Sequence, residues 1–319
     1  VKVLMKKSKV FWIYVAIALV VYAVVQFMIS SGNFDMYYSN LFITIAINVI
    51  LAVSLHLVIG ITGQFSIGHA GFLAVGAYVS AIFTTNLGWP FPIALLMGAI
   101  AAAIAGLIVG IPTLRLKGDY LAIATLGFAE IIRIIFLNID YVGGAAGMQV
   151  DYLTTWTYAF FVALITVVVI SNFTNSRHGR ACIAVREDEV AADSMGINTT
   201  YYKVLAFAIG SFFAGLAGGL FSHNFFIIQP SQFGFLKSFD ILIYVVLGGL
   251  GSLSGSIIAA ILLTVISLYL QDFPETRMII YSLVLIIVML YRPAGLMGTK
   301  EVTDLFKFGK KSKGGNVNE

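Results

Sequence analysis

Runs of apolar residues about twenty long recur along this chain with almost no charge inside them, and they leave the bilayer as the medium in which it folds. A helix of about twenty residues rises about 30 Å, the thickness of a hydrocarbon core. Composition agrees: 60% of the residues are hydrophobic and 11% charged, with a mean hydropathy of +0.97. Soluble domains carry about 25% charged residues. The expected fold class is an all-α integral membrane protein. No polar segment is long enough to bury a core of its own, so no soluble domain is expected. The net charge of +4 gathers at both termini and in two loops, which is topology information and no nucleic-acid footprint. Cys182 is the single cysteine, which rules out a disulfide framework or a cysteine metal site within one chain.

Lys2, Lys6, Lys7 and Lys9 precede the first run, 10–29. That run exceeds the 7–15 apolar residues of a cleaved signal and reads as a retained span leaving the cytoplasm. Further spans are expected at 41–60, 72–86, 91–111, 120–139, 157–173 and 204–223. The run 241–270 is too long for one span and is interrupted by GGLGSLSGS, so it divides into an eighth and a ninth; 278–291 is the tenth. About ten spans put both termini in the cytoplasm, in agreement with Arg115 and Lys117 in one loop and Lys300, Lys307, Lys310, Lys311 and Lys313 in the tail. The layout is a basic cytoplasmic N-terminus (1–9), one transmembrane domain (10–298) with a cytoplasmic loop at 174–203, and a basic cytoplasmic tail (299–319). Two segments, near 62–71 and 248–256, are too rich in glycine for regular lipid-facing helix. Irregular backbone at membrane depth survives only where protein or a water-filled cavity surrounds it. Gly98, Ala102, Gly106 and Gly110 in the fourth span, and Ala206, Gly210, Ala214, Gly218 and Ser222 in the seventh, recur every four residues as smooth faces for close helix packing.

The longest polar island, Ser176 to Lys203, stands out against this background. Arg177 and Arg180 place it in the cytoplasm. Within it, Arg186 to Met195 reads as a short helix with an acidic start (Glu187, Asp188, Glu189), a small centre (Ala191, Ala192) and Gly196 placed to end it. Such an island is either an ordinary polar loop or a surface offered to a partner in water.

Chemistry is sparse. No G-x-x-x-x-G-K-[ST] phosphate loop occurs, and Gly249, Gly251 and Gly255 miss the dinucleotide spacing by one residue. His56, His69, His178 and His223 show no ligand spacing, so no catalytic or metal site is expected and no cofactor bound by this chain. Glu130 and Arg133 share one face of the fifth span at i and i+3. A charge at mid-bilayer costs roughly 2.5–3.5 kcal/mol or more, so both must face protein or water. They are either a structural ion pair or part of a lining. Candidates for lining a translocation path are Gln64, Ser66, His69, Glu130, Arg133, Gly143 and Gly144.

Several stretches together resemble one family. GQFSIGHAGFLAVGAY, LAIATLGFAEIIRIIF, REDEVAADSMGI, VVLGGLGSLSGSIIAA and YRPAGLMG are similar to the permease subunit of bacterial branched-chain amino acid ABC importers, in particular its M-type member. Two departures are visible. Against the importer pattern Glu-Ala-Ala-x-x-x-Gly, Glu189 sits one residue early while Ala191, Ala192 and Gly196 keep the spacing; Val142 replaces the usual Thr before Gly143 and Gly144.

The resemblance implies a multi-pass protein of the bacterial plasma (inner) membrane, in contact with lipid and not with nucleic acid. It implies a second homologous permease, two cytoplasmic ABC ATPases that use the ATP, and an extracytoplasmic amino-acid-binding protein delivering Leu, Ile or Val. The island would dock on the ATPases through Glu187, Asp188, Glu189, Ala191, Ala192 and Gly196. The alternatives are a stand-alone secondary carrier or channel for a small solute, which needs no such island, and a multispan membrane enzyme, which needs a catalytic constellation.

Overall fold

The computed structural model describes residues 2–32, 35–113, 116, 118–270, 273–292 and 295–298. The tail expected at 299–319 and the loop cations Arg115 and Lys117 lie outside the described residues. In chain order the α-helices are α1 (Lys2–Ser30), α2 (Met36–His56), α3 (His69–Ala81), α4 (Phe91–Thr113), α5 (Asp119–Asn138) and α6 (Trp156–Asn175). They continue as α7 (Arg177–Glu187), α8 (Glu189–Ser194), α9 (Thr199–Ser222), α10 (Phe235–Gly248), α11 (Leu253–Tyr269) and α12 (Pro274–Tyr291). The expected spans fall on α1–α6 and α9–α12. Six helices among the described residues are long and apolar enough to cross a membrane, at 36–61, 91–113, 119–138, 156–175, 199–222 and 230–248, with shorter apolar helices at 16–30 and 253–269. The chain is thus an all-α, multi-pass membrane protein. Its only described sheet is the antiparallel pair β1 (Met148–Gln149) and β2 (Ile227–Ile228), which clips the loops after α5 and α9 together.

Helix α2 is the axis of the bundle. It is apolar all round, and every residue from Ala46 to Ile61 is buried. Its few polar side chains reach its neighbours. Asn48 Nδ2 donates to Thr264 Oγ1 of α11 at 2.9 Å, His56 Nδ1 meets Ser256 Oγ of α11 at 3.0 Å, and Ser54 Oγ meets His69 Nε2 of α3 at 2.8 Å. Lipid tails are as apolar as leucine, so such hydrogen bonds, together with close packing, carry helix association at roughly 0.6–2 kcal/mol each.

Close packing comes from the small-residue faces expected on α4 and α9, which meet each other and α3. A Cβ added at Gly98 would stand 2.6 Å from the Gly76 carbonyl, and one at Gly215 would stand 2.5 Å from Ala102 Cβ and 2.9 Å from Ala99 Cα. At Gly218 it would collide with the Leu73 carbonyl of α3.

The breaks fall where the glycines are, with details the sequence did not announce. Helix α2 ends in a π-helical turn (Leu57–Ile61), the chain runs irregularly to Gly68, and α3 starts at His69, three residues before the expected span. A second π-turn (Ile82–Asn86) closes α3. Helix α10 ends at Gly248 and α11 begins at Leu253, capped by Ser252 Oγ, which accepts from Gly255 N–H at 3.1 Å. Residues 295–298 fold back onto this break: Leu296 N–H donates to the Leu247 carbonyl at 2.9 Å and Met297 N–H to that of Gly248 at 3.2 Å. At its other end α10 starts at Phe235, six residues ahead of the expected run 241–270.

Candidate functional site

The polar island folds as two helices. Ser176 Oγ caps α7, accepting from Gly179 N–H at 3.2 Å, and Cys182 and Val185 turn inward. The short helix begins at Glu189 and not at Arg186: Arg186 and Glu187 finish α7, and Asp188 is the cap of α8, its Oδ1 accepting from Val190 and Ala191 N–H at 2.9 Å each. At the far end Ile197 N–H donates to the Ala192 carbonyl and Gly196 N–H to that of Asp193, while Gly196 adopts φ +82°. This paired closure needs a left-handed residue, which glycine supplies without strain.

The two alanines expected to face a partner differ in burial. Ala192 is buried within the chain and Ala191 is exposed. Consecutive side chains on a helix lie about 100° apart, and α8 is turned so that Ala192 faces the chain while Val190 and Ala191 before it and Asp193 and Ser194 after it stay exposed. The large apolar residues that do face out are Val190 and Met195, 71% and 83% exposed. Both lie in the island sequence, and their signal was being apolar within an otherwise charged stretch.

The island is tied to the irregular segment after α2. Arg186 Nη1 donates to the Gly60 carbonyl at 2.6 Å, and its Nε and Nη2 donate to Glu187. Lys203 Nζ pairs with Glu189 Oε1 at 2.6 Å, and the Lys203 carbonyl accepts from Gln64 Nε2 at 3.1 Å. Thr62, Gln64, Gly118, Arg186, Asp188 and Lys203 border a cavity of about 210 Å³. Cys182 of α7 is fully buried, and burial pushes its thiol up to about 11.

The remaining candidates divide. Gln64 belongs with the island, Ser66 is buried beside Gly68, and His69 is engaged with Ser54, so these three form no single lining. Gly143 and Gly144 sit in the turns after α5, at φ +80° and +48°, apart from the residues that border the next cavity. Glu130 and Arg133 do come together. Arg133 Nε donates to Glu130 Oε2 at 2.6 Å, and Glu130 Oε1 accepts from Phe235 N–H at 3.1 Å. The carboxylate therefore caps α10 from another helix, where a negative charge suits the helix dipole. Both side chains also border an open cavity of about 520 Å³ with Gln232, Leu236, Lys237 and Asp240. The pair is thus both an ion pair and part of the wall of this cavity. Sequence reading missed Lys237 and Asp240, whose signal was two charges three residues apart at the head of an apolar run.

Known proteins share this chain's pattern. A family model described as "Branched-chain amino acid transport system / permease component" matches residues 37–289. The high-affinity branched-chain amino acid transport system permease protein LivM of Salmonella typhimurium is 36% identical over 265 residues, covering 72% of this chain and 62% of the relative. The LivM protein of Escherichia coli matches to the same extent. The permease protein LivH of Salmonella typhimurium is 32% identical over 166 residues, 50% of this chain and 53% of LivH. The chain thus spans about 62% of the length of the LivM proteins it matches.

Proposed function

Because this chain belongs to the family of branched-chain amino acid transport system permease components, we propose that it is a permease subunit of an ATP-driven importer for leucine, isoleucine or valine. It forms the path with a second homologous permease, a pairing supported by its likeness to both LivM and LivH. Two cytoplasmic ATPases dock on α8 and use the ATP, and an extracytoplasmic binding protein delivers the amino acid. The observation that carries the docking is α8 itself, capped at both ends and holding Val190 and Met195 out into solvent. A stand-alone carrier has no use for such a surface.

The test is reconstitution of the chain with the second permease, the ATPases and the binding protein, followed by uptake of labelled leucine. Uptake that needs ATP and every partner is expected. Uptake by the chain alone, without ATP, would sink the proposal in favour of a secondary carrier.

The proposed topology has ten spans in the plasma membrane, both termini and the island being cytoplasmic. Cys182 cannot report on it, since a buried thiol raised to about 11 reacts slowly from either side. Exposed positions can: Tyr141 is 65% and Met195 83% exposed. In intact cells stripped of outer layers, a membrane-impermeant maleimide is expected to label Tyr141→Cys at once and Met195→Cys only after permeabilisation. Labelling of Met195→Cys from outside overturns the topology.

A further inference from the structure

We infer that Arg186 is a positioning residue for coupling: it ties α8 to the broken membrane segment at Gly60, and through Gly60 to α10, whose far end walls the Glu130–Arg133 cavity. The inference rests on the proposed docking of ATPases at α8.

The guanidinium fork divides its donors between two bodies. Nη1 holds the Gly60 carbonyl at 2.6 Å, while Nε and Nη2 hold Glu187 at the end of α7. A planar fork can serve both at fixed geometry; the point charge of a lysine cannot. The Arg186 stem also leans on the irregular segment, since a Cβ added at Gly63 would stand 2.7 Å from Arg186 Cγ. Two residues on, Asp188 caps α8, so Arg186 and α8 are joined by fixed backbone. A parallel tie runs from Glu189 through Lys203 to Gln64.

On the membrane side, Gly60 has no room to move alone. A Cβ there would stand 2.6 Å from the Leu250 carbonyl, in the turn between α10 and α11, and 2.7 Å from the His56 ring. His56 is in turn bonded to Ser256 of α11. Leu250 lies two residues past the end of α10, a helix of 14 residues. At 1.5 Å per residue such a helix is about 20 Å long. Its other end is Phe235 N–H on Glu130 Oε1. A displacement of α8 therefore reaches the cavity through packed backbone and one stiff helix. Contiguity alone is not coupling, so the test must read the cavity while the ATPases work.

The experiment uses the full complex, with Leu236→Cys, 54% exposed on the cavity wall, carrying an environment-sensitive fluorophore. With Arg186→Ala, the ATPases are expected to stay bound and hydrolyse ATP. The ATP-dependent signal at position 236 disappears and leucine uptake falls by about tenfold, within the 5–150-fold range of typical coupling. Arg186→Lys, keeping the charge on a single donor nitrogen, recovers part of both. Uptake and signal within about twofold of wild type overturn the inference, and so does loss of the ATPases from folded Arg186→Ala, which would make Arg186 a docking residue. If Arg186→Ala does not fold, Arg186→Gln, which keeps the stem on Gly63, is scored by the same thresholds. A wild-type complex without ATP-driven uptake defeats the functional reading itself, which separates the two failures.

Discussion

A chain carrying Gly218→Leu is expected to reach the membrane and fail to assemble. Gly218 lies on the buried face of α9 against α3, where even a Cβ collides with the Leu73 carbonyl and stands 2.8 Å from Ala77 N. Both neighbours are backbone, which cannot rotate away as a side chain would. Overpacking a core typically costs about 1–3 kcal/mol; with the obstacle a helix backbone and three further carbons to place, the upper end of that range applies. Gly127 supplies the control. It is exposed on α5 with nothing within 4 Å of an added Cβ, so Gly127→Ala should gain up to about 1 kcal/mol of helix propensity without a clash. Melting of the detergent-purified protein, followed by size-exclusion chromatography after heating, reads both. A wild-type melting point for Gly218→Leu would mean that α9 and α3 are not packed as described here.

This packing was legible in the sequence because it has a compositional cost: two helices approach closely only if every fourth residue is small, and that constraint marks α4 and α9. The break at 248–256 was legible for a similar reason, since GGLGSLSGS cannot continue a lipid-facing helix. Interactions that end on backbone left no such trace. Arg186 binds the carbonyl of Gly60, and a carbonyl belongs to every residue. Glu130 caps α10 from a different helix, so nothing beside Phe235 announces where that helix starts. The π-turns at 57–61 and 82–86 each admit extra backbone without a residue type that demands it. Within the island, Gly196 marked where the short helix stops, but its start at the Asp188 cap, beyond the expected Arg186, and its rotation about its own axis were invisible. A helix of six residues is too short for periodicity to say which side faces in, and so the burial of Ala192, expected at the partner surface, was not legible.

That rotation decides how docking should be tested. Lengthening Ala191 and Ala192 together would confuse two effects, because Ala192→Leu overfills the chain's own interior before any partner is met. The clean substitutions are Val190→Asp with Met195→Asp, both at highly exposed positions. Neither side chain supports the isolated fold, so the melting point of the permease should be unchanged. In the proposed docking they would be the apolar anchors: fully burying a side chain of this size contributes about 1.5–3 kcal/mol, and the pair together about 3–6 kcal/mol if both are engulfed. Their loss is expected to weaken docking by at least about a hundredfold, enough for the ATPases to be lost during purification and for ATP-driven leucine uptake to cease. Glu187→Lys should weaken docking far less, because exposed ion pairs contribute only about 0–1 kcal/mol, and its effect on uptake is confounded by loss of the carboxylate that holds the Arg186 fork. Glu189→Lys is a different matter: it places a second cation against Lys203, whose side chain is only 11% exposed, and should lower the melting point as well as docking. If Val190→Asp with Met195→Asp keeps its ATPases and its uptake at wild-type level, α8 is an ordinary loop helix, and the motor must engage some other surface.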